Sequence, residues 1–309
     1  MNYTLHHLQV FLKVTTLLSI TKAASELNLS QPAVSIQLKN FQDQFDVPLY
    51  EVIGKKIYVT DFGKEIAIAA ENILNEVYTI NYKTLVYKGQ ISGRLKLSIV
   101  STGTYLMPYL LADFLKINTG VELQMDVTNK SRVIESLKKN EVDFSLISTM
   151  PEGMLLNNEE IITNNLVLVC NTDIYNQMIV MNNKIFEAFP FIHREEGSAT
   201  RTEAERFFNL HKLTIKKKIV LTSNETVKQA VIAGLGISIM PLIGIKNELQ
   251  TNELKIIPLD EFPIKTKWQL VWHKEKQLSP AASALLAFIR TNKSEIIEKK
   301  FNWLKAIQF

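Results

Sequence analysis

Along residues 5–18, LHHLQVFLKVTTLL, apolar side chains recur at 5, 8, 11, 14 and 18, the spacing of one helix face. A second helix is expected from about Thr21 to Asn28, with Thr21 as its N-cap. A third is expected from about Gln31 to Phe45, with Ser30 as N-cap and Pro32 in the first turn, where a missing N–H costs little. Val34, Leu38, Phe41 and Phe45 mark its buried stripe. The stretch IGKKIYVTDFG reads as a short β-hairpin with Lys55 and Lys56 near its tip. From Asp61 to about Tyr87 there is no Pro and only Gly63, so a long helix is expected. Ile66, Ala70, Ile73, Val77 and Ile80 form a narrow seam on it, which favours a dimerising linker over one more helix packed on its own domain.

The segment KGQISGRLK (88–96) carries two glycines and marks a domain boundary. Beyond it, strand-like and helix-like patterns alternate. RLKLSIV, VELQMDV, VDFSLIS, NLVLVCN, FPFIHR, KKKIVLT, ISIMP and TKWQLVWH read as strands, with helical segments between most of them. The alternation predicts parallel α/β layers. About 210 residues are many for one such layer, so two lobes are expected.

The chain has 309 residues, twice the ~150 of a typical domain. Net charge is +4. Up to Gly93, however, 8 Lys face 8 acidic residues and there is no Arg, so a case for nucleic acid must rest on local arrangement. The single cysteine, Cys170, reads as a strand residue and fits a reducing compartment. No basic stretch with an apolar h-region opens the chain, and no apolar run reaches the ~18 residues of a membrane span. A cytoplasmic protein with no membrane association is expected.

The stretch TKAASELNLSQPAVSIQLKNF (21–41) ends one helix, turns and restarts at once, as a helix-turn-helix requires. Ala23 and Ala24 are small where two helices must cross. With Val34 and Leu38 inward, Gln31, Pro32, Ser35, Ile36 and Lys39 face outward, and Gln37 lies beside them. Gln can pair with adenine and Ile36 can meet a thymine methyl in the major groove. Ser30 and the first amides of the third helix can hold a phosphate, and Thr21 opens the neighbouring helix. Lys55 and Lys56 would form a wing against the adjacent backbone.

LQVFLKV, SITKAASELNLSQPAVSIQLKNF, PLYE and GKKIYVTDFGKEI together resemble the winged helix-turn-helix of LysR-type transcriptional regulators. The resemblance extends over nearly the whole chain. It departs at Phe41-Gln42, where the family usually has Leu-Glu, and at Val52, where it usually has Arg. The resemblance implies an α/β protein overall, with a mostly α winged helix-turn-helix over residues 1–60 (the helix-turn-helix itself about 20–39). A linker helix over 61–88 and a two-lobed, type 2 periplasmic-binding-protein-like effector domain over 89–309 would follow. Lobe I would take about 94–165 and 266–309, and lobe II about 166–265. Such a protein binds double-stranded promoter DNA as a homodimer or homotetramer and answers to a small-molecule effector between the lobes, with RNA polymerase as a further expected partner.

Three Ser/Thr/Gly-rich loops, STGTYLMP (101–108), EEGSATRTEAE (195–205) and TSNETVKQA (222–230), each precede a helix. Hydroxyls and free amides at a helix start suit an anion. Any one loop alone reads as helix capping; three in one cleft read as a ligand site. The resemblance would place Ser101, Thr102, Thr104 and Ser131 on lobe I, with Ser198, Thr200, Arg201, Asn224 and Glu225 on lobe II. Arg201 is the one obvious charge partner for a carboxylate or phosphate, unless it pairs internally. GSATR is most like regulators of carbon fixation, which sense phosphorylated or carboxylated metabolites.

Other classes fit less well. The histidines at 6, 7, 193, 211 and 273 show no metal-ligand spacing, and there is no G-x-S-x-G elbow or Walker A motif. Neither a catalytic residue, a cofactor nor a metal is expected. A solute-binding protein would need a signal peptide. An architectural DNA protein would not need ~210 residues of cleft-forming domain.

Overall fold

The computed structural model describes residues 3–54, 56–87, 91–178 and 182–307. Contacts divide the chain into two units, Met1–Tyr87 and Lys88–Phe309.

The first unit contains α1 (Leu5–Leu17), α2 (Ile20–Leu27), α3 (Gln31–Gln42), β1 (Tyr50–Ile53), β2 (Lys56–Val59) and α4 (Asp61–Tyr87). Thr4 and His7 close a capping box at the start of α1. The cap of α2 is Ser19, whose hydroxyl accepts from the Lys22 N–H; Thr21 is therefore already inside the helix, not at its cap. Helix α2 stops without Gly or Pro. Asn28 takes the left-handed conformation (φ 54°), and the Leu29 N–H reaches back to the Ala24 carbonyl at 3.0 Å. This is a Schellman ending, in which Asn stands in for the usual glycine. Ser30 then caps α3 by accepting from the Ala33 N–H.

Phe41 is fully buried in a ring cluster with Tyr3, Phe11 and Phe45. Gln42, where the resembled family usually has Glu, accepts from the Leu49 N–H at 2.6 Å and so ties down the loop leading to the hairpin. Strands β1 and β2 pair antiparallel with Ile53 opposite Lys56; Lys55 lies outside the described residues. Gly63 lets α4 begin directly against this hairpin, since a Cβ there would sit 1.9 Å from the Leu49 oxygen. The expected seam on α4 divides in two. Ile66 and Ala70 pack into the core of the first unit, joined there by Leu74 from beside the seam, whereas Ile73 and Ile80 are exposed. The first half of the helix thus completes its own domain.

The second unit begins with β3 (Ser92–Val100), a 3-10 turn (Ser101–Tyr105), α5 (Met107–Ile117), β4 (Gly120–Thr128), α6 (Lys130–Lys138) and β5 (Phe144–Ile147). Next come the 16-residue β6 (Leu156–Asn171), α7 (Thr172–Gln177), α8 (Ile185–Ala188), β7 (Phe191–Arg194), α9 (Ala199–Leu210), β8 (Lys218–Leu221), α10 (Asn224–Ile232) and β9 (Ser238–Pro241). The unit closes with α11 (Lys246–Gln250), β10 (Leu254–Ile256), β11 (Ile264–His273) and α12 (Pro280–Phe301).

The main sheet runs β10-β6-β11-β5-β3-β4, with β9 also on β6. The all-parallel expectation holds only for β3 with β4 and β5, and for β7 with β8. Strand β6 is antiparallel to each of its partners. It pairs with β11 along Leu156–Leu166 and with β9 and β10 along Leu166–Asn171. The chain crosses between the lobes on β6 and returns on β11, so the two crossing strands must run in opposite directions. The first half of β6, LNNEEIITNN, shows no apolar alternation because covered positions in it are polar: Glu159 pairs with Arg290 and Lys293, and Asn164 donates to Thr266.

Helix α12 packs on α5 through Phe288 and Phe114. The residues after it cross over: Trp303, Leu304 and Ile307 lie against the Leu242–Leu254 cluster of the second lobe. Cys170 is buried in the second lobe, and burial pushes its thiol up to about 12, leaving it protonated and inert at neutral pH.

Candidate functional site

Two surfaces collect the candidate residues. On the first unit, Val34 and Leu38 anchor α3, while Gln31, Pro32, Ile36 and Lys39 are exposed and Ser35 and Gln37 half-buried. Ile36 keeps 58% of its surface exposed, a cost in water that a groove contact would recover. The Gln31 amide donates to the Ser35 hydroxyl at 3.3 Å, which holds the two polar side chains side by side. Thr21 and Lys56 are exposed, as is Val52. Lys13 and Lys64 are paired with Glu26 and Asp61.

In the second unit, the 3-10 turn after β3, the start of α6, the β7–α9 loop and the start of α10 meet. The Ser101 hydroxyl, from the first lobe, accepts from Asn224 Nδ2 at 3.1 Å and from Arg194 Nη2 at 3.3 Å, both from the second. Arg194 also donates to Asn224 Oδ1 through Nη1, and to Glu195 through Nε at 2.8 Å and Nη2 at 2.9 Å. Two further contacts tie the lobes: Thr149 donates to Glu203 at 3.1 Å, and the Ser131 N–H donates to the Gly197 carbonyl at 3.3 Å. Gly197 is required here, because it has φ 83° and a Cβ would lie 2.6 Å from the Ser131 hydroxyl oxygen.

Thr102, Ser198 and Thr200 are buried at this junction. Ser198 stands at the N-cap of α9, yet its side chain makes no capping bond, so the hydroxyl is not committed to the helix. The remaining void among Ser101, Thr102, Asn129, Ser198 and Thr200 is about 10 Å³, room for about one water. At Ser101 the two lobes are in direct contact.

Three expected residues stand apart from this cluster. The Thr104 hydroxyl donates to the Ser101 carbonyl. Glu225 is exposed and pairs with Lys228 at 3.0 Å, and Lys228 also meets Glu248 at 2.7 Å. Burial alone would lower the Lys228 ammonium, but those two carboxylates hold it above its usual value. Arg201 forms the internal pair left open by the sequence, donating to Glu205 at 2.7 Å.

The buried cation at the junction is Arg194, the last residue of β7; Lys130, half-buried at the start of α6, also lines the void. The signal for Arg194 in the sequence is position: the last residue of a strand, three positions before a Gly-Ser helix start, where open α/β folds place ligands. Among the described residues, no group of three or more His, Cys, Asp or Glu is placed to hold a metal, and no helix is long and apolar enough to cross a membrane.

Residues 5–64 match the bacterial regulatory helix-turn-helix protein, lysR family, and residues 88–294 match the LysR substrate binding domain. The chain is 35% identical over 291 residues to the RuBisCO operon transcriptional regulator of Allochromatium vinosum, covering 94% of this chain and 96% of that one. It is 33% identical over 291 residues to the HTH-type transcriptional activator CmpR of Synechocystis, covering 93% and 95%. Among solved structures, the Synechocystis PCC6803 CcmR regulatory domain in complex with 2-PG shares 30% identity at a TM-score of 0.57, over 68% of this chain and 99% of that one. CrgA from Neisseria meningitidis shares the fold end to end, with a TM-score of 0.66 at 16% identity over 98% and 100%.

Proposed function

Because the chain belongs to the LysR-type transcriptional regulators, we propose that it reads promoter DNA through α3 and the β1–β2 wing and responds to a phosphorylated carboxylate held between its lobes. It is a DNA-binding transcriptional regulator with an effector-binding domain; the residues and the ligand class are the proposal. Gln31, Ser35 and Ile36 take base edges in the major groove. Ser30, Thr21, Lys39, Lys55 and Lys56 take backbone phosphates, with Pro32 and Gln37 bordering the contact. The exposed Ile73 and Ile80 of α4 pair with a second copy. The protein acts in the cytoplasm, where its DNA lies, and performs no catalysis.

In the cleft, Ser101, Thr102, Ser131, Ser198, Thr200 and Asn224 surround the ligand, with Arg194 as its charge partner. Thr104, Arg201 and Glu225 brace those loops from behind. The observation that carries this reading is the Arg194 guanidinium, 4% exposed, held by Asn224 of its own lobe and aimed at Ser101 across the lobe junction. A planar fork of donors in a buried site is the group that recognises carboxylate and phosphate by two points at once. The solved relative with 2-PG at 30% identity supports 2-phosphoglycolate as the first ligand to try.

The test is thermal stability of the purified protein against 2-phosphoglycolate, sugar phosphates, dicarboxylates and neutral sugars. A ligand that binds only the folded state at 100 times its Kd adds about 2.7 kcal/mol. An upward shift in Tm with 2-phosphoglycolate or a near analogue, lost in Ser101→Ala, is the expected result. Stabilisation by neutral compounds alone would sink the anionic reading.

A further inference from the structure

The Arg194 guanidinium is fully engaged within the chain. Glu195, the next residue, takes Nε at 2.8 Å and Nη2 at 2.9 Å, the same two-point grip that a ligand carboxylate or phosphate would use. Nη1 is held by Asn224, so each guanidinium nitrogen already has an acceptor. An anion that takes this two-point seat must therefore replace the Glu195 carboxylate on Nε and Nη2. The two partners differ in access: the Arg194 side chain is 4% exposed and that of Glu195 is 19% exposed. The carboxylate therefore has a way out to water, and the guanidinium does not. Its exit is also coupled to the lobes, because Glu195 begins the short loop whose Gly197 carbonyl accepts from the Ser131 N–H.

Resting on the anionic-effector reading above, we propose that Glu195 is a resident counter-ion that occupies the effector's seat on Arg194, and that an anion binds by displacing it. The tethered carboxylate competes at a high effective concentration. A free monocarboxylate replaces one negative charge by another and loses to the tether. A ligand with two or more negative charges gains extra attraction to the guanidinium and wins. Glu195 thereby sets both the threshold concentration and the selection for multiply charged ligands.

Calorimetric titration of the full chain tests this with 2-phosphoglycolate, inorganic phosphate and glycolate. The expected result for Glu195→Gln is about tenfold tighter 2-phosphoglycolate binding and measurable glycolate binding where the natural chain shows none. Glu195→Asp, whose shorter side chain grips less well, falls between the two. Adding Arg194→Lys to Glu195→Gln removes the gain, since the two-point fork is gone. Equal or weaker 2-phosphoglycolate binding in Glu195→Gln, with the natural chain binding well, overturns the proposal and makes Glu195 a positioning residue for Arg194. Failure of every protein to bind any of the three anions overturns the anionic reading and this inference with it.

Discussion

The two candidate surfaces solve opposite problems. Helix α3 presents Gln31, Ile36 and Lys39 to water from a core that is already complete beneath them. The cleft buries Arg194, Asn224 and Thr200 and satisfies Arg194 and Asn224 through bonds to each other, to Glu195 and to Ser101. A surface that stays rigid before and after binding can be open, and its side chains are free to be chosen for the partner. On the proposed reading, the groups that tie the lobes together are the ones that bind the ligand, so those residues carry stability and recognition together.

The largest test of this contrast is Arg194→Ala. Removing one partner of a buried ion pair strands Glu195 and Asn224, and about 3 kcal/mol of stability should be lost. Urea denaturation followed in residues 88–309 measures it; a loss under 0.5 kcal/mol would mean that the junction is not a structural lock.

Next is His193, whose ring lies against Phe191 and Phe208, with no hydrogen-bond partner in the structure for either nitrogen. Burial, helped by Lys218, pushes it down to about 4 from 6.5. The unfolded chain thus binds a proton at a higher pH than the folded one. Stability is unaffected above pH 6.5, falls as pH drops from 6.5 towards 4, and levels off below that, a loss on the order of 3 kcal/mol. His193→Leu should flatten that slope, as read from denaturation midpoints at pH 7 and 4.5.

On the open surface the pattern reverses. Gln31→Ala should change stability by less than ~0.5 kcal/mol yet reduce discrimination between operator and scrambled DNA by about 1–3 kcal/mol. Equal losses on both DNAs would remove Gln31 from the set of base readers. The smallest effect belongs to Lys56→Ala: a uniform weakening on all sequences, with the slope of log K against log salt reduced by about one. Electrophoretic mobility shifts at several salt concentrations distinguish the two.

The amino-acid sequence alone determined the first unit, down to Ser30 as a cap, Ala23 and Ala24 at the helix crossing, and Lys56 on a wing. Local periodicity and capping chemistry act within a few residues, so they can be read along the chain. Even there, the cap of α2 was misplaced from Ser19 to Thr21, because either hydroxyl can open a helix and only packing selects one. In the second unit, the strands and the Ser/Thr-rich helix starts were visible, but not the antiparallel crossing of β6 and β11, whose pairing spans about a hundred residues. Tertiary structure alone decided which arginine lies buried at the lobe junction. Arg201 and Arg194 lie seven positions apart and look alike in sequence. The turn at Gly197 sends Arg201 to Glu205 on its own helix and leaves Arg194 facing Ser101 and Asn224, which lie 93 and 30 positions away in the chain. Residue type supplied the charge, and the meeting of two lobes buried it.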